Sequence, residues 1–452
     1  MQTSLPAGKV HSAAHYHRQT WINAMAAAVG GLLFGYDTSV ISGAILFVRK
    51  HFQWDSFHTE VAVSIVLAGA LVGAASGGYL SDRFGRRPLQ IANALVFAVF
   101  AVLTGVASST PVFLIGRFMV GVAVGVTSMV TPLYIAEISP PAIRGALVQL
   151  NQLMISVGVA VAYAVAWVLS GTGNWRMMFI SAVFPSVALL ISLIFLPESP
   201  RWLASKGRLD AARAILNRVY GPAETEVAMT QFVTVIESDK VSFRDLFLRR
   251  FRKPLIAGIG LAVFQQITGV NTIIYYTPII MQMAGFKSAS DAILTTLLIG
   301  IMTALFAFGA MPLLDRVGRR RLLLISITGM FVCLALLGYY FGAAHISRIT
   351  VVGAFLGYLA FFQIGLGPVF WLLISEIYPT SIRGQAMSLS SVTIWASDWL
   401  VTLTFLTLLD HFGARQSFWL YGLACVAAYV FCWYFIPETK GRTLEEIEAG
   451  WV

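Results

Sequence analysis

The chain has 452 residues, of which 58% are hydrophobic and 12% charged, and a formal net charge of +10. A charged share about half that of soluble domains excludes a soluble enzyme or a soluble multidomain protein and marks an integral membrane protein. The positive balance alone would suit a nucleic-acid surface, but its distribution along the chain assigns it to membrane topology.

Residues 1–18 are polar and carry His11, His15 and His17, without the basic patch and short apolar core of a cleavable signal. Twelve apolar spans follow, at roughly 21–45, 61–80, 89–108, 112–136, 145–170, 177–196, 254–283, 292–312, 322–343, 349–374, 384–409 and 416–435. Each suits a helical crossing of a ~30 Å hydrocarbon core. Lipid admits only helices or closed barrels, and no strand pattern is present, so the expected fold is an all-α membrane bundle. Gly69, Gly73 and Gly77 on span 2, and Gly121 and Gly125 on span 4, recur at a spacing that lets helix backbones approach closely. Cys333, Cys425 and Cys432 fall inside spans without metal-ligand spacing and read as small buried hydrophobes.

The expected organisation is a six-helix bundle over 1–196, a basic cytoplasmic linker over 197–253 with helical stretches such as 209–219, a second bundle over 254–435, and a cytoplasmic tail over 436–452. Thr443-Leu444-Glu445-Glu446 in the tail reads as a helix start. With both termini cytoplasmic, 24 Lys and Arg lie inside, six lie outside (Arg49, Lys50, Arg176, Lys287, Arg348, Arg415), and Arg117 lies within a span. That asymmetry is the positive-inside pattern of a multi-pass protein of the cell membrane, with no nucleic-acid partner.

Three motifs occur twice. Asp82-Arg83-Phe84-Gly85-Arg86-Arg87 is echoed by Asp315-Arg316-Val317-Gly318-Arg319-Arg320, Glu137…Arg144 by Glu376…Arg383, and Pro197-Glu198-Ser199-Pro200-Arg201 by Pro437-Glu438-Thr439-Lys440-Gly441. The offsets are 233, 239 and 240 residues, which indicates a duplicated half-chain. Paired halves of apolar spans are the plan of a transporter that rocks about a central site. The acidic members of these motifs favour a cytoplasmic gate over pure topology signalling, since the positive-inside rule requires no carboxylate.

Asp37, Arg117 and Asp398 are the ionisable residues that fall well inside spans. A charge in hydrocarbon costs several kcal/mol, so each needs a partner or a task. Span 1 runs outward and span 4 inward; at about 1.5 Å per residue, Asp37 and Arg117 share a depth and are expected to pair. One reading is a static salt bridge between the spans. The other is a proton switch, in which withdrawal of the arginine lets Asp37 take a proton that crosses with a solute. Asp398 has no cation at its depth on neighbouring sequence. It reads equally as a hydrogen-bonded structural carboxyl and as a second proton site or counter-ion.

Span 7 carries Gln265, Gln266, Asn271, Tyr275 and Tyr276. Amides at that density suit a wet cavity, where each donates and accepts hydrogen bonds as sugar hydroxyls do. Gln152 on span 5 and Trp371 on span 10 are expected to face the same cavity. The seven histidines lie in tails, loops or span ends without a nucleophile or metal cluster beside them, so an enzyme, a cofactor or a bound metal has no support.

These residues make the chain resemble the sugar porter family of the major facilitator superfamily from about Ala24 to Glu448. The likeness rests on Phe34-Gly35-Tyr36-Asp37, Gly85-Arg86-Arg87, Pro197-Glu198-Ser199-Pro200-Arg201-Trp202-Leu203, Gln265-Gln266 with Asn271 and Tyr275-Tyr276, Gly367-Pro368 with Trp371, and Pro437-Glu438-Thr439-Lys440-Gly441. It implies twelve helices in two pseudo-symmetric bundles, a midplane sugar site and alternating access. It implies that Gln152, Gln265, Gln266, Asn271, Tyr275, Gly367, Trp371 and Trp395 line the site with Phe34 nearby. It also implies that Asp37 and Arg117 couple transport to protons, as in bacterial xylose, galactose and arabinose symporters. The implied partners are a small neutral sugar, protons and membrane lipid, around a monomer.

Two positions depart from the family pattern: Ile394 where Asn or Gln is usual, and Asp398 where Asn is usual. They leave open a hexose, a pentose, a deoxy sugar or a cyclitol such as myo-inositol. Uncoupled uniport, a nutrient sensor and efflux of an organic cation through Asp398 are the competing readings.

Overall fold

The computed structural model describes residues 18–140, 143–219, 225–226, 229–230, 246–343, 347–379, 381–442 and 446–447. Thr443, Leu444 and Glu445 of the expected tail helix, and residues 1–17 with their three histidines, lie outside them. The described residues form helices and no strand.

The first half comprises α1 Arg18–Phe52, α2 Ser56–Phe84, α3 Arg86–Gly105, α4 Thr110–Glu137, α5 Arg144–Ser170, and a sixth crossing in two pieces, α6 Trp175–Ile180 and α7 Val183–Phe195. The connecting segment supplies α8 Pro200–Ser205 and α9 Leu209–Val219. The second half comprises α10 Arg252–Ile267, α11 Val270–Tyr275, α12 Thr277–Met283, α13 Ala289–Val317, α14 Arg319–Phe341, α15 Arg348–Ile364, α16 Leu366–Ile377, α17 Arg383–Thr402 and α18 Phe405–Phe435. Among the described residues, eleven crossings are long and apolar enough to span a membrane. The remaining expected span, 384–409, is α17: its serines and Asp398 lower its hydropathy, and it ends at Thr402 before α18 begins.

Within the first half α1 packs on α5 and α2 on α4; within the second, α14 packs on α18 and α15. The glycine spacing does the work expected of it. A Cβ at Gly121 would collide with the Val66 carbonyl, and one at Gly73 with that of Val122, so α2 and α4 meet backbone to backbone. Gly77 sits farther out, with ordinary contacts.

The halves meet through α1–α11, α2–α17 and α5–α13. Three side-chain links join them at one end: Ser42 Oγ to the Ile274 carbonyl (3.2 Å), Ser170 Oγ to Ser290 Oγ (3.0 Å), and Glu60 to Thr407. The repeated charged motifs occupy the opposite end.

The sequence predicts continuous helices at 254–283 and 349–374; the structure breaks both. Gly269 adopts φ +89°, a left-handed conformation that favours glycine, and Pro278 opens α12 where a missing N–H costs nothing. The freed backbone is satisfied internally: the Thr268 carbonyl accepts from Tyr358 Oη (2.8 Å), and Leu366 N–H after the second break donates to Ser326 Oγ (3.1 Å). Their counterparts in the first half, α1 and α4, are unbroken.

Candidate functional site

Asp37 and Arg117 meet between α1 and α4. Arg117 Nη1 donates to Asp37 Oδ1 at 2.9 Å, and the side chains are 1% and 3% exposed respectively. The guanidinium carbon lies 5.5 Å from the centre of the Phe179 ring. Asp37 Oδ2 and Arg117 Nε and Nη2 have no hydrogen-bond partner among the described residues. The pair is thus held by one contact rather than a two-pronged fork, which lowers the barrier to separating it. Tyr36 fixes the adjoining backbone by donating to the Met178 carbonyl (3.2 Å) and pairing with Ser181 Oγ (2.5 Å).

On the other half, the break at Gly269 folds α10 and α11 so that their amides form a ladder. Gln265 Nε2 donates to the carbonyls of Leu366 (3.2 Å) and Gly367 (3.3 Å), Gln266 Nε2 to Gln265 Oε1 (3.4 Å), and Asn271 Nδ2 to Gln266 Oε1 (3.1 Å). Backbone carbonyls only accept, so they set the direction of every amide that follows. The ladder ends on Asp398. Its Oδ2 accepts from Asn271 Nδ2 (2.9 Å) and Tyr275 Oη (3.2 Å), and its Oδ1 from Thr402 Oγ1 (3.2 Å).

Gln265 and Gln266 are buried, Asn271 and Phe34 are half-buried, and Gln152 and Trp371 are exposed. Phe34 of the first half faces Trp395 of the second, ring centres 5.8 Å apart, so the aromatic wall crosses the interface between halves. Ile394 is buried beside Trp395 and contributes no hydrogen bond. Gly367 joins the site through its carbonyl. No group of three or more His, Cys, Asp or Glu among the described residues is arranged to hold a metal.

A family model described as sugar (and other) transporter matches residues 23–451. The chain belongs to this transporter family. It is similar to the D-xylose transporter of Levilactobacillus brevis, at 40% identity over 431 residues covering 93% of each chain. It is similar to the arabinose-proton symporter of Bacillus subtilis (strain 168), at 34% identity over 436 residues covering 94% of each. Its fold matches the inward-open conformation of the xylose transporter XylE from E. coli, with a TM-score of 0.84 and 32% identity over 95% of this chain and 99% of that one. The fold is therefore that of the major facilitator superfamily, and the chain is a transporter rather than an enzyme.

At the charged end of this sugar-family transporter the duplicated motifs make duplicated contacts, each within its own half. Arg86 grips Glu137 through Nε (2.8 Å) and Nη2 (3.0 Å) and reaches Asp82 through Nη1 (2.9 Å). Glu198 accepts from the backbone N–H groups of Arg86 (3.1 Å), Arg87 (3.3 Å) and Ser199 (2.7 Å), closing the start of α3. In the second half Arg319 Nη2 reaches Glu376 (3.1 Å), and Glu438 accepts from Arg319 N–H (2.9 Å). Arg87 caps the Leu193 carbonyl of α7, Arg320 the Trp433 carbonyl of α18, and Arg383 the Tyr378 carbonyl (3.1 Å). Arg83 reaches Tyr79 (3.3 Å), while Arg144, Arg201 and Arg316 are exposed. The Asp315 side chain lies outside the described residues. Burial pushes the Glu198 carboxyl above the usual glutamate range, against the opposing pull of the three N–H donors and Arg86.

Glu60 is the residue the sequence reading missed. It is fully buried, and its carboxylate accepts from Thr407 N–H (2.7 Å) and Thr407 Oγ1 (2.6 Å) across the interface between halves. It stands one residue before the span read at 61–80, outside every expected span. The available signal was the lack of any basic neighbour to pair with.

Proposed function

We propose that this transporter is a proton-coupled symporter that imports a monosaccharide, hexose or pentose, by alternating access in the cell membrane. Asp37 carries the proton and Arg117 competes with it. Gln152, Gln265, Gln266, Asn271, Tyr275, Gly367, Trp371, Trp395 and Phe34 receive the sugar. The observation that carries the reading is the isolated Arg117–Asp37 contact at 2.9 Å, buried yet held by a single hydrogen bond. A stabilising element in lipid would be better served by apolar packing, whereas a pair that must part and re-form suits one weak link. The similarity to a D-xylose transporter and to an arabinose-proton symporter supports both halves of the proposal.

The bundles over 1–196 and 254–435 rock about the site, joined by the 197–253 linker, with both termini and the 436–452 tail cytoplasmic. The Ser42, Ser170 and Glu60 contacts close the outer end. The duplicated charged clusters then belong to the cytoplasmic gate, which regroups when the inner end closes.

The test is transport in proteoliposomes with D-xylose, L-arabinose, D-glucose and myo-inositol under an imposed pH gradient. The wild type should accumulate at least one of these uphill, with proton entry. Asp37→Asn should accumulate less sugar than the wild type while retaining exchange of the same sugar across the membrane. Full accumulation by Asp37→Asn overturns the assignment, and wild-type flux without proton movement makes the protein a uniporter.

A further inference from the structure

Asp398 is a buried carboxylate that the mechanism above leaves unused. It is 1% exposed, and every partner it has is neutral: an amide, a phenol and a hydroxyl. The elements packed against α17 are α2, α10, α11 and α16. Tyr275 on α11 is the titratable group in direct contact. On α2, Glu60 is committed to Thr407, and His58, Tyr79, Asp82 and Arg83 lie toward its two ends. On α10, Arg252 and Lys253 stand at its start, 14 and 13 residues before Gln266, roughly 20 Å away along the helix. Glu376 stands at the end of α16 and pairs with Arg319. On α17 itself, Arg383 is 15 residues distant. Across the interface, in the first half, Arg117 is bonded to Asp37.

We infer that Asp398 is a second proton-binding site, loaded together with the sugar, so that two protons accompany each sugar molecule. The inference rests on the symport reading above. Three features carry it. An anion at this position has no cation among the described residues to offset its desolvation, and a proton neutralises it. Hydroxyl groups flank both carboxylate oxygens, Tyr275 Oη on one side and Thr402 Oγ1 on the other, with Thr272 Oγ1 a further 3.3 Å beyond Thr402. Such groups accept a proton on one face and release it on another. Finally, two of the three donors, Asn271 and Tyr275, belong to the proposed sugar site. A sugar hydroxyl that draws the Asn271 amide away removes one donor from Asp398, and a proton on Oδ2 replaces it. Sugar and proton therefore bind with mutual reinforcement. The proton enters from the outer water and leaves to the cytoplasm when the sugar departs; no other bond changes.

Asp398→Asn is a sharp probe because it retains the hydrogen bonds. Its Oδ1 accepts from Asn271 and Tyr275, and its Nδ2 donates to Thr402 Oγ1. A purely structural carboxyl predicts little change. Proteoliposomes are given a fixed gradient of whichever of the four sugars is transported fastest, and the membrane potential that halts net flux gives the proton-to-sugar ratio. The wild type should read two and Asp398→Asn one. In detergent, adding that sugar to Asp37→Asn should still draw protons from a weakly buffered solution, and adding it to the Asp37→Asn/Asp398→Asn double variant should not. A wild-type ratio of one, an unchanged ratio in Asp398→Asn, or no sugar-linked uptake by Asp37→Asn overturns the second site and leaves symport standing. A wild-type ratio of zero overturns the symport reading itself.

Discussion

Asp37, Asp398, Glu60 and Glu198 are four buried or half-buried carboxylates with four different companions: a guanidinium, neutral side chains, a helix start in the other half, and backbone N–H groups. Sequence depth sufficed to pair Asp37 with Arg117, because both sit on unbroken helices where position translates directly into height. It did not suffice for Asp398, whose partners Asn271 and Tyr275 lie beyond the break at Gly269. On a continuous helix Gln266 and Asn271, five residues apart, are not direct neighbours; the break brings them to 3.1 Å. Glu198 yields a prediction with a defined sign. Its folded-state carboxyl is raised, chiefly by burial, so its ionised form is disfavoured and its contribution to stability worsens as pH rises from the ordinary glutamate range toward the raised value. Glu198→Gln keeps an acceptor for the α3 N–H groups and removes the charge. Its melting temperature in detergent, relative to wild type, should be more favourable at pH 8 than at pH 5. A variant that loses more stability at pH 8 than at pH 5 would show that the charge itself holds the α3 start.

At the level of elements, the order of the crossings and eleven of the twelve expected spans were legible in the sequence, because hydrophobic length reads directly as a membrane span. The breaks were not. Gly269 and Pro278 sit inside a stretch long enough to read as one span, and whether such residues break a helix depends on partners such as Tyr358 and Ser326 that come from elsewhere in the fold. The α11 segment matters because it presents Asn271 and Tyr275. Gly269→Ala places a methyl group at φ +89°, which costs ~1 kcal/mol or more in backbone strain, and about 2.9 Å from the Tyr421 ring, where something must shift. It should lower the melting temperature and weaken sugar binding together. Gly353→Ala, where an added Cβ meets nothing within 4 Å, is the matched control and should leave both unchanged. Weakened binding in the control, or none in Gly269→Ala, would detach the break from the site.

Across the whole molecule, duplication explains the two charged clusters: Arg86 with Glu137 and Glu198 repeats as Arg319 with Glu376 and Glu438. The opposite end, the outer one in the proposed topology, has no such symmetry. There a single acid, Glu60 at the start of α2, caps the first turn of α18 in the other half, satisfying an N–H that α18 cannot bond within itself and lying at the positive end of its dipole. Opening that end strands both the carboxylate and the Thr407 N–H until water reaches them. Glu60→Ala removes the cap and about 1–3 kcal/mol from the outer-closed state, a shift of roughly 5- to 150-fold toward outward-open forms. Spin labels at F57C and F412C report it, since both positions are 59% exposed and the three native cysteines are buried. Distance measurements between the labels should gain a longer population in Glu60→Ala, and Glu60→Gln, which retains an acceptor for the Thr407 N–H, should gain far less. Identical distributions in all three chains would mean that the outer end is closed by the helix packing of α1 on α11 and α5 on α13, with Glu60 a passenger.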